Sequence, residues 1–111
     1  MNLRSIKNPS KECYEIKILC PELTFIGVTD QPDFAELEIT YYPSDAIIEL
    51  KSLKYYLFGF RDKLMSYERI INVIYDELVT VYHPDRLILT MKLKPRGGIS
   101  SILKIDSDWR K

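Results

Sequence analysis

The spacing of apolar side chains changes period twice along this chain, and that change most narrows the folds open to it. From Phe34 to Tyr42, the set Phe34, Leu37, Ile39 and Tyr41 runs against Glu36, Glu38 and Thr40. A period of two with one polar side marks a half-buried antiparallel strand. Tyr14 to Cys20 behaves alike, with Tyr14, Ile16, Ile18 and Cys20 against Glu15, Lys17 and Leu19, and predicts an earlier strand. Between them, Pro21 to Asp33 carries Pro21, Gly27, Asp30 and Pro32 and reads as a loop. The period then becomes three and four. Leu50, Leu53, Leu57, Phe60 and Leu64 form one face of an amphipathic helix, with Lys51, Lys54 and Arg61 off that face. After a break at 63–66, a second helix is expected over about Tyr67–Tyr82. Its apolar face is Ile70 or Ile71, Ile74, Leu78 and Val81, with Ser66 as N-cap and Glu68 and Arg69 in the first turn. Pro84 ends it, and His83 reads as a helix-end residue. Period two returns at Leu87–Leu93 and, past an Arg96-Gly97-Gly98 turn, at Ile99–Ile105.

The order strand, strand, helix, helix, strand, strand predicts an α+β fold: a four-stranded antiparallel sheet with both helices on one face. Residues 1–12 read as a polar N-terminal arm and 13–111 as a single domain. Such a sheet has two open edges, which proteins ordinarily cover, so a homo-oligomer is expected.

Charge and cysteine content exclude several classes. Sixteen Lys plus Arg balance sixteen Asp plus Glu. That balance argues against tRNA as a tightly held partner, because such affinity comes largely from phosphate neutralisation. Cys13 and Cys20 are too few for a disulfide framework, and with one histidine they offer no metal set. No apolar run is long enough to cross a membrane, and the first residues lack an apolar signal core, so a cytoplasmic protein is expected.

Three short motifs carry the chemistry. Glu49-Leu50-Lys51-Ser52-Leu53-Lys54-Tyr55-Tyr56 sets two cations around a hydroxyl beside two phenols. Such a group can meet phosphate charge and stack on a planar ring, although cations on a helix are ordinarily a solvated face. The others are Gln31-Pro32-Asp33-Phe34 and Pro95-Arg96-Gly97-Gly98, whose glycines suit a turn.

In this order and spacing the three motifs resemble the QueF family, the NADPH-dependent nitrile reductases of 7-cyano-7-deazaguanine, over about Cys20 to Gly98. The family pattern Glu-(Ser/Leu)-Lys-(Ser/Ala)-x-Lys-(Leu/Tyr)-(Tyr/Phe/Trp) is met at every defined position of Glu49–Tyr56. The resemblance implies a tunnelling fold (T-fold), built from units ordered ββααββ that assemble into barrels with sites between subunits. It implies a place in queuosine-type tRNA modification. NADPH would lie on Lys51, Ser52, Lys54 and Tyr55, with Arg96 on the cofactor or a neighbouring subunit. Glu68 and Glu49 would serve the deazapurine, since a carboxylate accepts two hydrogen bonds from a guanine-like edge. Asp33 would be the catalytic proton relay, and no metal is implied.

The family's chemistry starts with a cysteine thiolate adding to the nitrile carbon to give a thioimide, which hydride from NADPH then reduces twice. Here the sequence departs from the pattern. The cysteine position falls on Ile26 without a gap and on Gly27 with one, and the family histidine before the anchoring glutamate is Tyr67. Cys20 is the one thiol nearby; as nucleophile it would need a shifted loop and a lowered pKa. Three readings follow. One is an enzyme of the reductase lineage. Another is a nucleobase-binding module that has lost the chemistry, or one subunit of a mixed assembly whose cysteine-bearing paralogue supplies the thiol. The third is an amidine-forming transferase acting on tRNA-borne 7-cyano-7-deazaguanine, against which the intact Glu49–Tyr56 motif argues.

Overall fold

The computed structural model describes residues 2–27 and 31–110. Its elements run β1 (Ser5–Lys7), β2 (Ile16–Ile26), β3 (Pro32–Tyr42), β4 (Ala46–Ile48), α1 (Leu50–Phe58), α2 (Tyr67–Tyr82), β5 (Arg86–Leu93) and β6 (Ile102–Asp106), closed by a 3-10 turn at Ser107–Arg110. β2, β3, β5 and β6 form one antiparallel sheet in that order. The α+β reading and the order of its main elements hold.

The buried sheet face is built from alternate residues: Ala35, Leu37, Ile39 and Tyr41 on β3, and Leu87, Leu89 and Met91 on β5. Against them α2 lays Ile70, Ile71, Ile74, Tyr75, Leu78 and Tyr82, and α1 adds Leu53 and Leu57. Both Ile70 and Ile71 are inside, whereas Val81 lies on the exposed side because Leu78 and Tyr82 already complete the helical stripe. Phe34, expected inside, is exposed and Ala35 takes the inward place. The outward face keeps Glu38 between Lys17 and Lys92 at 3.8 and 2.8 Å.

Four local expectations are corrected. Pro21–Ile26 is strand, not loop: β2 runs through Pro21 to pair Thr24, Phe25 and Ile26 with Phe34, Asp33 and Pro32. An edge strand tolerates proline's missing N–H, and a register shift between Cys20 and Leu23 absorbs the irregularity. Residues 28–30 of that expected loop lie outside the described residues. Next, α1 stops at Phe58 instead of reaching Leu64, which is exposed, and Phe60 reaches the core from the following turn. Then β6 begins at Ile102 and not Ile99. Finally, the arm is no loose extension. β1 pairs antiparallel with β4, Asn8 N–H bonds the Asp45 carbonyl at 2.9 Å, and the Tyr82 hydroxyl donates to the Arg4 carbonyl at 2.6 Å. His83 sits in the left-handed region (φ 45°) as the C-cap of α2, where its N–H bonds the Val79 carbonyl.

Candidate functional site

Two strand ends, one connector and one turn converge beside the start of α2. The tip of β2 is tied to the connector between the helices: Ile26 N–H donates to the Lys63 carbonyl and Met65 N–H to the Ile26 carbonyl, both at 3.0 Å. Gly27 N–H then donates to the Gln31 carbonyl at 2.8 Å, closing the approach to β3. Opposite, Lys94 N–H bonds the Phe34 carbonyl at 3.1 Å. Beyond it, Arg96 and Ile99 exchange backbone hydrogen bonds at 2.8 and 3.0 Å. Gly97 and Gly98 have φ of +58° and +80°, the tight hairpin turn that glycine permits and other residues resist. Ser66 caps α2 by accepting from Arg69 N–H at 3.2 Å, which fixes where Tyr67 and Glu68 begin.

This convergence encloses a cavity of about 170 Å³, lined by Asp33, Phe34, Tyr67, Lys94, Arg96 and the 99–101 segment. It joins residues far apart in sequence from two of the three motifs. Arg96 binds the whole Gln31-Pro32-Asp33 stretch. Its Nη1 donates to Gln31 Oε1 at 2.9 Å, its Nη2 to the Pro32 carbonyl at 2.9 Å, and its Nε lies 3.1 Å from Asp33 Oδ1. The other carboxylate oxygen of Asp33 fills the space beside Gly27: a Cβ on residue 27 would collide with it. Glu68, one residue beyond Tyr67, is exposed on the first turn of α2 and outside the lining of this cavity.

The Glu49–Tyr56 motif builds a second, separate group on α1. Glu49 is the N-cap of α1, accepting from Lys51 N–H at 2.7 Å and Ser52 N–H at 2.9 Å. The Lys51 backbone donor foremost holds its carboxyl below the usual range. Ser52 is buried, and its hydroxyl is engaged twice within the chain, accepting from Arg4 N–H at 2.9 Å and donating to the Glu49 carbonyl at 2.8 Å. Ser52 therefore anchors the arm. Lys51, Lys54 and Tyr55 are exposed. Lys54 Nζ stands 5.8 Å from both the Tyr55 and Phe58 ring centroids, and the Arg61 guanidinium lies 4.3 Å over Phe58. A cavity of about 120 Å³ opens at this end, lined by Arg4, Glu49, Lys51, Ser52 and Tyr55. Among the described residues, no hydrogen bond or ion pair joins this group to Asp33. Arg4 was invisible to sequence reasoning, because it reaches α1 by pairing with a residue 48 positions away.

Cys20 lies away from Asp33 but shares a cavity with Lys54 of the α1 group. It lines an apolar cavity of about 280 Å³ between β2 and α1, and burial pushes its thiol up to about 11. That is the opposite of what an attacking thiolate needs. Cys13 is exposed. No group of three or more metal-ligating side chains occurs among the described residues, and no described helix is long and apolar enough to cross a membrane.

Comparison with known proteins gives the family and the fold. A family model for QueF-like proteins matches residues 32–111. A Magnetococcus marinus protein named NADPH-dependent 7-cyano-7-deazaguanine reductase is 40% identical over 106 residues, covering 94% of this chain and 83% of that protein. A protein of the same name from Nitrosospira multiformis is 44% identical over 100 residues, covering 88% and 72%. Among solved structures, the apo crystal structure of an archaeosine synthase QueF-Like superposes with a TM-score of 0.74 at 15% identity, covering 88% of this chain and 95% of that one. That last likeness speaks to the fold alone.

Proposed function

This chain belongs to the QueF-like family, and from that premise we propose that it binds 7-cyano-7-deazaguanine beside Asp33 without forming the covalent thioimide. The observation that carries the reading is the state of the nucleophile's place. Ile26 and Gly27 bear no thiol, the Asp33 carboxylate fills the room beside Gly27, and Cys20 lies in another cavity with its thiol pushed up to about 11. Glu68, exposed one residue past Tyr67, would accept the paired N–H donors of the guanine-like edge. Asp33 would serve as proton relay, and in this reading the protein acts in the cytoplasm, in queuosine-type metabolism.

The α1 surface suits a dinucleotide: Lys51 and Lys54 present two cations, Tyr55 an exposed ring, and Arg4 a further cation at the cavity. NADPH, when bound there, would supply hydride. Glu49 and Ser52 contribute by capping the helix and pinning the arm, which sets Lys51 and Arg4 side by side. Arg96, bonded to residues 31–33, lines the Asp33 cavity and not this one.

A second reading is favoured by one specific feature: the Asp33 cavity and the α1 surface do not meet within one chain. A homo-oligomer with sites between subunits would bring them together, and a cysteine-bearing paralogue in a mixed ring would restore reduction. An amidine-forming transferase gains no such support.

Calorimetry with 7-cyano-7-deazaguanine tests the binding. Native protein should bind it and Glu68→Ala should abolish binding; equal affinity of the two would refute the reading. Mass spectrometry of the mixture should show unmodified protein, and an adduct on Cys20 would return the chain to the covalent reductases.

A further inference from the structure

We propose that Arg96 is the positioning residue of Asp33; the ligand half of this rests on the function proposed above. A guanidinium carries its donors in a rigid planar fork. Arg96 spends three of its nitrogens on three consecutive residues, at 2.9 Å to Gln31 Oε1, 2.9 Å to the Pro32 carbonyl and 3.1 Å to Asp33 Oδ1. Such a fork cannot slide along its partners, because each nitrogen fixes a different atom. The fork also stands on a fixed base, since Arg96 closes the turn at Gly97 and Gly98 with two backbone hydrogen bonds to Ile99.

The far side of the clamp is equally bound. Gln31 gives its side-chain oxygen to Arg96 and its carbonyl to Gly27 N–H, at 2.9 and 2.8 Å. One Asp33 oxygen is thereby consumed, and the other is aimed at the space beside Gly27. Charge alone would do little here, since the Arg96 side chain is 49% exposed and exposed ion pairs are weak. The value of the contact is aim. Each guanidinium nitrogen of Arg96 holds one atom of residues 31–33, and one N–H on each Nη stays free at the cavity that Arg96 lines.

The experiment is a double-mutant cycle read two ways. The affinity of full-length protein for 7-cyano-7-deazaguanine is measured for native, Arg96→Gln, Asp33→Asn and the double variant, with Arg96→Lys as the conservative control. Arg96→Gln and Asp33→Asn should each weaken binding by about tenfold, and the double variant should be no weaker than Asp33→Asn alone. Arg96→Lys keeps a charge without the fork and should recover only part of the loss. Additive losses, or full recovery with lysine, would overturn the proposal. The second readout needs no ligand. Amide exchange at Gly27 should speed up by about tenfold or more in Arg96→Gln while core amides such as Leu37 and Leu89 keep their rates. Uniform acceleration would mean a merely stabilising contact, and unchanged exchange at Gly27 would mean no clamp. Absence of binding to native protein would sink the proposed function, and the exchange result would still decide the clamp.

Discussion

Replacing Gly27 by alanine tests whether the Asp33 carboxylate really holds the space beside it. The added methyl would collide with Asp33 Oδ2, stand 3.2 Å from its Cγ and 3.4 Å from the Gln31 carbonyl. The last is ordinary contact, so the obstacle is one carboxylate. Moving it strains a side-chain rotamer, which costs about 0.5–1.5 kcal/mol. It also breaks a half-exposed ion pair with Arg96, which contributes about 0.2–1 kcal/mol. Against this, Gly27 is not among the positive-φ glycines, Gly97 and Gly98, so alanine fits its backbone. Restricting the unfolded chain then returns about 0.4–1 kcal/mol. The net is a loss of about 1 kcal/mol, or roughly 3–6 °C in Tm for a domain of this size. In an Asp33→Ala background the carboxylate is gone and only the gain remains, so Gly27→Ala should raise Tm by about 2–4 °C. Thermal unfolding followed by circular dichroism of the four proteins reads this change of sign. The same shift in both backgrounds would refute the claim that Asp33 occupies that space.

Ser52→Ala should destabilise the fold by about 1–3 kcal/mol, because Arg4 N–H loses its buried acceptor; urea unfolding measures the loss, and faster exchange at Glu49 N–H would show the arm loosening. Iodoacetamide at pH 8 should modify Cys13 and spare Cys20, since a half-buried thiol near 11 is ionised in about one molecule per thousand; peptide mapping by mass spectrometry decides. The Arg86 hydrogen bond at 2.8 Å foremost holds the Asp106 carboxyl below its ordinary range. A carboxyl depressed in the folded state contributes stability above its unfolded value and loses it as pH falls through the folded one. Asp106→Asn should therefore be less stable than native protein at pH 7, and urea midpoints should converge as pH falls below about 4.

What the sequence made legible follows from how local each cause is. Periodicity and capping act within a few residues, so α2, its Ser66 cap and the β3 and β5 alternation were readable. Pro21 read as a breaker because its tolerance depends on β2 being an edge strand, which is a tertiary fact. The end of α1 at Phe58 was hidden because Phe60 keeps the apolar spacing while reaching the core from a turn. At the site, the motifs were visible but their wiring was not. Arg96 and the Gln31–Asp33 stretch are one unit across more than 60 residues of chain, and Ser52 serves Arg4 from 48 residues away. A residue type at a given spacing says what it can bond; the fold decides which bonds are already taken.

That distinction bears on the missing thiol. A nucleophile could be restored on paper by writing cysteine at residue 27. The Cβ of that cysteine would enter the room the Asp33 carboxylate fills, and Asp33 is held there by a guanidinium fixed on its own turn. Under the proposed function, the substitution would displace the carboxylate offered as proton relay, trading one missing group for another. At residue 27, then, a side chain and the Asp33 carboxylate compete for one volume. A thiol at residue 27 is therefore coupled to Asp33 through that volume and to Arg96 through the ion pair, so its effect should depend on what stands at residues 33 and 96.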